Sequence, residues 1–118
     1  MSLTTLEIGQ KLLKHCQKGT ESEALDNIYH AEAVSIEADG TEVKGVGGIK
    51  GKHEWWAQNF EVHDAKAEGP FPNGDKFAII FEMDVTNKEN NQRSQMKEVG
   101  MYTVQDQKIT REEFYYQS

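Results

Sequence analysis

The sequence predicts an α+β fold, with helices first and a mostly antiparallel sheet after them. Three observations carry this. All five Leu (Leu3, Leu6, Leu12, Leu13 and Leu25) fall in the first 25 residues of the 118-residue chain. Ten of the eleven aromatics lie from Trp55 onward, Tyr29 being the exception. Phe77, Ile79, Phe81, Met83 and Val85 alternate with Ala78, Ile80, Glu82 and Asp84. Leu suits helices, aromatic and β-branched side chains suit strands, and strict alternation is the period of a strand. The pattern disfavours an all-α bundle and alternating βαβ units. A chain of 118 residues has room for one domain, taken here as 1–118.

Each element has its own signal. Thr4-x-x-Glu7 opens the first helix as a capping box, and Gly19 stops it. Leu6, Leu12, Leu13 and Cys16 form its apolar stripe, while Lys14 and Lys18 suit its negative end. Thr20-x-x-Glu23 repeats the capping signature for a second helix, which buries Leu25, Ile28 and Tyr29 and ends near His30. Residues 34–38 read as a short strand, and Asp39-Gly40 as a turn. Gly45, Gly47 and Gly48 mark a loop before a third helix. Ile49, His53, Trp56 and Phe60 follow there at i, i+4, i+7 and i+11. A strand meander begins at Val62, broken by residues 70–75 and by a polar loop over 87–94. Strands over 96–105 and 108–116 close it, joined at Asp106-Gln107.

Charge and cysteine usage exclude several functions. Thirteen basic against twenty acidic side chains give a net charge of −7, which repels phosphate backbones, so no nucleic-acid partner is expected. Apolar stretches are too short to span a membrane, and the first residues lack the basic-then-apolar order of a signal peptide. Cys16 is the single cysteine, so a reducing, cytoplasmic location is the expectation. The run from Gly45 to Lys52 fails as a phosphate loop, because Val46 stands where Gly is needed and His53 where Ser or Thr is needed. His53-Glu54-Trp55-Trp56-Ala57 begins like a zinc-protease helix, but Ala57 replaces the second His. His15, His30 and His63 show no ligand spacing, so neither a metal nor a cofactor is expected.

Three segments resemble a known family across nearly the whole chain. They are Ile28-Tyr29-His30-Ala31-Glu32-Ala33-Val34, the stretch from Gly45 to Ile49, and the stretch from Tyr102 to Ile109. They are similar to the helix-to-strand junction, the third-helix entry and the closing hairpin of SnoaL-like and ketosteroid-isomerase-like proteins. These form a branch of the nuclear-transport-factor-two-like superfamily. Where the family's hairpin has Gly, this sequence has Gln107, so the turn differs or carries strain. The resemblance implies three helices packed in a curved, mixed, mostly antiparallel sheet, shaped as a cone. It also implies a pocket for small apolar or cyclic molecules. Relatives include polyketide cyclases, isomerases, dehydratases and non-catalytic binding domains, so the fold alone does not decide function.

In the isomerase branch a carboxylate just past the helix-to-strand junction removes a proton next to a carbonyl, and two acidic donors stabilise the enolate. The base position falls on Glu37. The donor positions fall on about Leu12 and on Val99 or Gly100, so the donors do not carry over. An Asp-Arg-Asp relay of the epoxide-hydrolase kind has no match in register at Arg93 or Arg111. With a two-residue turn at Asp106-Gln107, Val99, Met101, Glu112, Phe114 and Tyr116 share one face of the last strands. Glu98, Tyr102, Glu113 and Tyr115 share the other, and a bulge would reverse the relation. The resemblance turns Glu112, Phe114 and Tyr116 into the cone and leaves Glu98 and Tyr102 on an outer sheet through which a homodimer would form. Turned inward, Glu98 and Tyr102 would make an acid or orienting pair. Tyr29, Trp56 and Phe60 are candidate pocket walls, and His63 and Asp84 complete the candidates. The expected function is small-molecule binding in the cone, with carboxylate acid/base chemistry of a lyase, isomerase or cyclase. The alternative is a non-catalytic dimerisation or ligand-binding module.

Overall fold

The computed structural model describes residues 3–116. Helix α1 (Thr5–Lys18) starts where its capping box dictates. Thr4 Oγ1 accepts from the Glu7 N–H at 3.1 Å, and the Glu7 carboxylate accepts from the Thr4 N–H at 3.0 Å. Gly19, with φ of 72°, closes the helix in the left-handed region. Ile8 and Leu12, one turn apart, form the buried line, with Leu13 and Cys16 partly buried on its flanks. Leu6, expected in that stripe, is 42% exposed.

Helix α2 (Glu21–Asn27) ends before His30, and strand β1 (Tyr29–Ile36) begins earlier than residue 34. The reason is long-range. The Ile109 N–H donates to the Ile28 carbonyl at 2.8 Å and Tyr29 pairs with Ile109, so a strand eighty residues away decides where the helix stops. A turn in which the Gly40 N–H donates to the Glu37 carbonyl at 2.9 Å leads into β2 (Glu42–Lys44). Helix α3 (Gly45–Asn59) includes the glycines expected to form a loop. A Cβ at Gly48 would lie 2.7 Å from Val43, so small residues let the first turn of α3 press against β2. Phe60 leaves the helix and opens β3.

Strands β3 (Phe60–Asn73), β4 (Lys76–Asn87), β5 (Gln92–Gln105) and β6 (Lys108–Tyr116) follow. Pro70 does not end β3, because an edge strand needs no N–H there, and the ladder instead shifts register between Glu68 and Phe71. β5 starts well before residue 96, since Gln92 to Gln95 pair with Asp84 to Asn87 although no apolar period marks them. The six strands order as β2-β1-β6-β5-β4-β3, with β1 and β6 parallel and the other pairs antiparallel. This open mixed sheet with three helices on it is the expected α+β cone. The core joins Ile8, Leu12, Leu25, Ile49, Phe77, Ile79, Tyr102 and Ile109, where helices meet sheet.

Candidate functional site

A bulge in β6 builds the inner face of the site. Gln105 pairs with Lys108 and Val104 with Ile109, as a two-residue turn requires, but Thr103 then pairs with Arg111. Thr110 is the extra residue, and every later pair moves by one. Tyr102 therefore lies opposite Glu112, Gly100 opposite Phe114, and Glu98 opposite Tyr116. Glu98 and Tyr102 share the face of Glu112, Phe114 and Tyr116, the reverse of the relation expected without a bulge. Met101 pairs with Glu113 and turns to the opposite face.

Glu112 is the centre of this face and is 2% exposed. The Tyr29 hydroxyl donates to its Oε1, and the Ser35 hydroxyl donates to its Oε2 at 2.7 Å. Ser35 is Glu112's direct partner in the parallel β1–β6 ladder. The Lys52 ammonium, delivered by α3, donates to Ser35 Oγ at 2.7 Å and stands 3.7 Å from Glu112 Oε2. It also lies 2.6 Å from Glu37 Oε1 and 4.4 Å from the centre of the Phe114 ring. One ammonium thus joins the buried carboxylate of β6 to the half-buried Glu37 at the end of β1. Burial, and then Glu112, push the Tyr29 hydroxyl well above the usual tyrosine range, so Tyr29 stays a donor.

Tyr102 forms the wall beside Glu112. Its ring stacks on Phe77 at 5.0 Å and meets Phe114 edge-on at 6.2 Å. Its hydroxyl lies over Gly100, where an added Cβ would sit 2.9 Å from that oxygen. Gly100 is one of the two positions at which the isomerase pattern would place a buried acid, and here the Tyr102 hydroxyl covers it. Glu98, two residues before Gly100 on β5, is less buried than Glu112. Burial first, and then the neighbouring Glu37, push its carboxyl up to about 7, with Lys52 pulling against them. Tyr116, beside it and partly exposed, is raised by burial and then by Glu37 and Glu98. His53, next to Lys52 on α3, is lowered chiefly by burial.

The remaining candidates lie elsewhere. Trp56 and Phe60 stack at 4.2 Å at the end of α3, with Trp55 outside them and 58% exposed. His63 is exposed and bonds Thr86 Oγ1 at 2.6 Å. Asp84 accepts two hydrogen bonds from Arg93, at 3.0 and 2.7 Å, which hold its carboxyl below the usual range. It lines a charged cavity of 280 Å³ with Asp64, Lys66, Glu82, Gln95 and Lys97. Among the described residues no group of three His, Cys, Asp or Glu is placed to hold a metal. Among the described residues no helix is long and apolar enough to cross a membrane.

Two members of the cluster, Ser35 and Lys52, were not among the residues expected from sequence. Each had a signal. Ser35 stands two before Glu37 on one strand face, and Lys52 stands three after Ile49 on one helix face. Together the residues place two carboxyls in unlike surroundings beside an ammonium, the elements needed to give and take a proton.

Residues 3–116 match the family model of the SnoaL-like domain. No curated protein matches the chain. Among solved structures, a candidate SnoaL-like polyketide cyclase from Mesorhizobium loti is 38% identical, with 97% of this chain and 100% of that one covered, at a TM-score of 0.91. A candidate polyketide cyclase from Pseudomonas putida superposes at 0.76 with 15% identity, over 98% of this chain and 93% of that one. A protein of ketosteroid-isomerase-like fold from Catenulispora acidiphila, in complex with trimethylamine, superposes at 0.75 with 22% identity, over 96% and 87%. These likenesses share the order of helices and strands that carries the cluster, and the chain belongs to the SnoaL-like domain family.

Proposed function

We propose that the chain binds a small carbonyl-containing molecule at the open end of the cone and moves a proton on the carbon beside the carbonyl. Glu37 takes the proton, and the protonated form of Glu98 donates a hydrogen bond to the carbonyl oxygen as it gains charge. The observation that carries this reading is the unequal setting of the two carboxyls. Lys52 stands 2.6 Å from Glu37, whereas Glu98 is pushed up to about 7 by burial and by its acidic neighbours. The aromatic rings of Tyr102, Phe114 and Tyr116 suit an apolar or cyclic body. That a protein of the same fold has been solved in complex with trimethylamine supports a small-molecule-binding role.

The test is exchange of the α-protons of cyclohexanone in D₂O, followed by proton NMR. Wild type is expected to accelerate exchange, and Glu37→Gln to lose about 100-fold or more of that acceleration. Because the reading needs Glu98 protonated, the rate should fall as pH rises through about 7, and Glu98→Gln should abolish that dependence. No acceleration by wild type would defeat the catalytic reading. One observation favours the alternative of a non-catalytic module: among the described residues no buried polar side-chain atom lacks a partner within the chain.

A further inference from the structure

The cluster contains one cation, and its surroundings are more elaborate than a surface ion pair requires. Lys52 Nζ has three protons. Ser35 Oγ accepts at 2.7 Å, Glu37 Oε1 lies at 2.6 Å, and the Phe114 ring faces the ammonium at 4.4 Å. Ser35 is itself fixed by donating to Glu112, and Glu112 is fixed by the buried hydroxyl of Tyr29. The ammonium is therefore held from below by a fully buried chain of hydrogen bonds, with only Glu37 reaching it from the open side. A lysine held on one side by buried groups is preorganised, and it fixes the partner that meets it from the other side.

We propose that Lys52 is the positioning residue of this site: anchored through Ser35 and Glu112, it holds the Glu37 carboxylate at the mouth of the cone, facing Glu98. This rests on the proton-transfer reading above and assigns a role that the pattern of the isomerase branch, as matched to this sequence, does not contain. The charged and titratable groups around the pair come from four elements. They are Glu37 at the end of β1, Glu98 and Tyr102 on β5, Glu112 and Tyr116 on β6, and Lys52 and His53 on α3. Lys52 is the member of this set that favours the ionised form of Glu98, while Glu37 and Glu112 oppose it.

A carbon-13 NMR titration of the Glu98 carboxyl in the full chain, without substrate, tests the arrangement. Wild type should titrate at about 7. Lys52→Met should raise the midpoint by about half a pH unit or more, because an attractive charge is lost. Glu112→Gln keeps the shape of the side chain and should lower the midpoint, because a repelling charge is lost. Lys52→Ala should respond to added propylammonium, the fragment removed, by moving back toward the wild-type midpoint. Arginine at the same position should restore it partly, its charge being placed differently. If folded Lys52→Met titrates at Glu98 as wild type does, Lys52 does not organise the mouth. An unmoved midpoint in Glu112→Gln, with propylammonium also inert, overturns the proposal where Lys52→Met does not fold. The titration involves no turnover. Absence of ketone exchange therefore counts against the catalytic reading alone, and an unmoved midpoint counts against the role of Lys52.

Discussion

Glu98 and Glu112 face the same way on adjacent strands and meet different surroundings. Glu112 is buried but receives two hydroxyl donors and lies near an ammonium. Glu98 is less buried, yet its carboxyl is pushed from 4.5 to about 7, because burial is joined by two like charges. The consequence for stability has a definite sign. Between these values the folded chain holds a proton that the unfolded chain has released, so stability falls as pH rises. The loss should reach about 3 kcal/mol at most and be complete somewhat above pH 7. Urea unfolding at pH 5 and pH 8 measures it, and Glu98→Gln should reduce the difference. A wild-type chain equally stable at both values would contradict this environment. At this scale the sequence was informative where a stretch resembles the family's, as at the helix-to-strand junction that singles out Glu37. It was not readable for Lys52, whose three partners come from β1 and β6.

Elements whose boundaries are local were readable, and elements whose boundaries are set by a distant partner were not. The capping box at Thr4 and Glu7 and the stop at Gly19 place α1 without reference to the rest of the chain. The end of α2 was misplaced because Tyr29 fits the helical spacing of Leu25 and Ile28. Its hydroxyl, however, is engaged by Glu112, and its backbone is paired by β6. Asp106 and Gln107 both take positive φ, 50° and 66°, as a two-residue type I′ hairpin turn requires, without a glycine. Gln107 gains something in exchange, since its side-chain oxygen accepts the Leu3 N–H at 2.8 Å. Another contact between elements yields a prediction. An added Cβ on Gly9 would lie 2.8 Å from Pro70 Cβ and 3.2 Å from the Phe77 ring, where α1 crosses β3 and β4. Alanine favours the helix by about 1 kcal/mol, but forcing it against a rigid proline ring costs about 1–3 kcal/mol. Gly9→Ala should therefore be destabilising by about 1 kcal/mol in thermal or urea unfolding. A stabilised variant would mean that α1 sits farther from the sheet.

The whole molecule measures 48 × 26 × 25 Å, long because β3, β4 and β5 outrun the helices that cover one end. Helices, sheet and their order followed from the spread of Leu and aromatics, because that spread reflects which surfaces must be buried. The polar residues from Gln92 to Gln95 gave no such signal, since both faces of the sheet there meet water and backbone pairing alone makes them a strand. The orientation of the last two strands lay beyond the sequence for a simpler reason: it depends on whether a count is odd or even.

That count is fixed by Thr110. A strand shows its residues alternately to two sides, so one inserted residue changes the parity of all pairings beyond it. Were Thr110 to pair with Thr103 instead of bulging, Val99 and Met101, rather than Glu98 and Tyr102, would lie on the side of Glu112 and Phe114. Deleting Thr110, by contrast, leaves the present pairs in place, with Arg111 following Ile109 opposite Thr103. In a chain lacking Thr110 the Glu98 carboxyl should therefore keep its midpoint of about 7. A midpoint that fell to that of an ordinary glutamate would show that the shortened strand re-pairs in another register. One residue left out of the ladder thus keeps the reactive lining in place, where the same residue paired into it would turn an inert one inward.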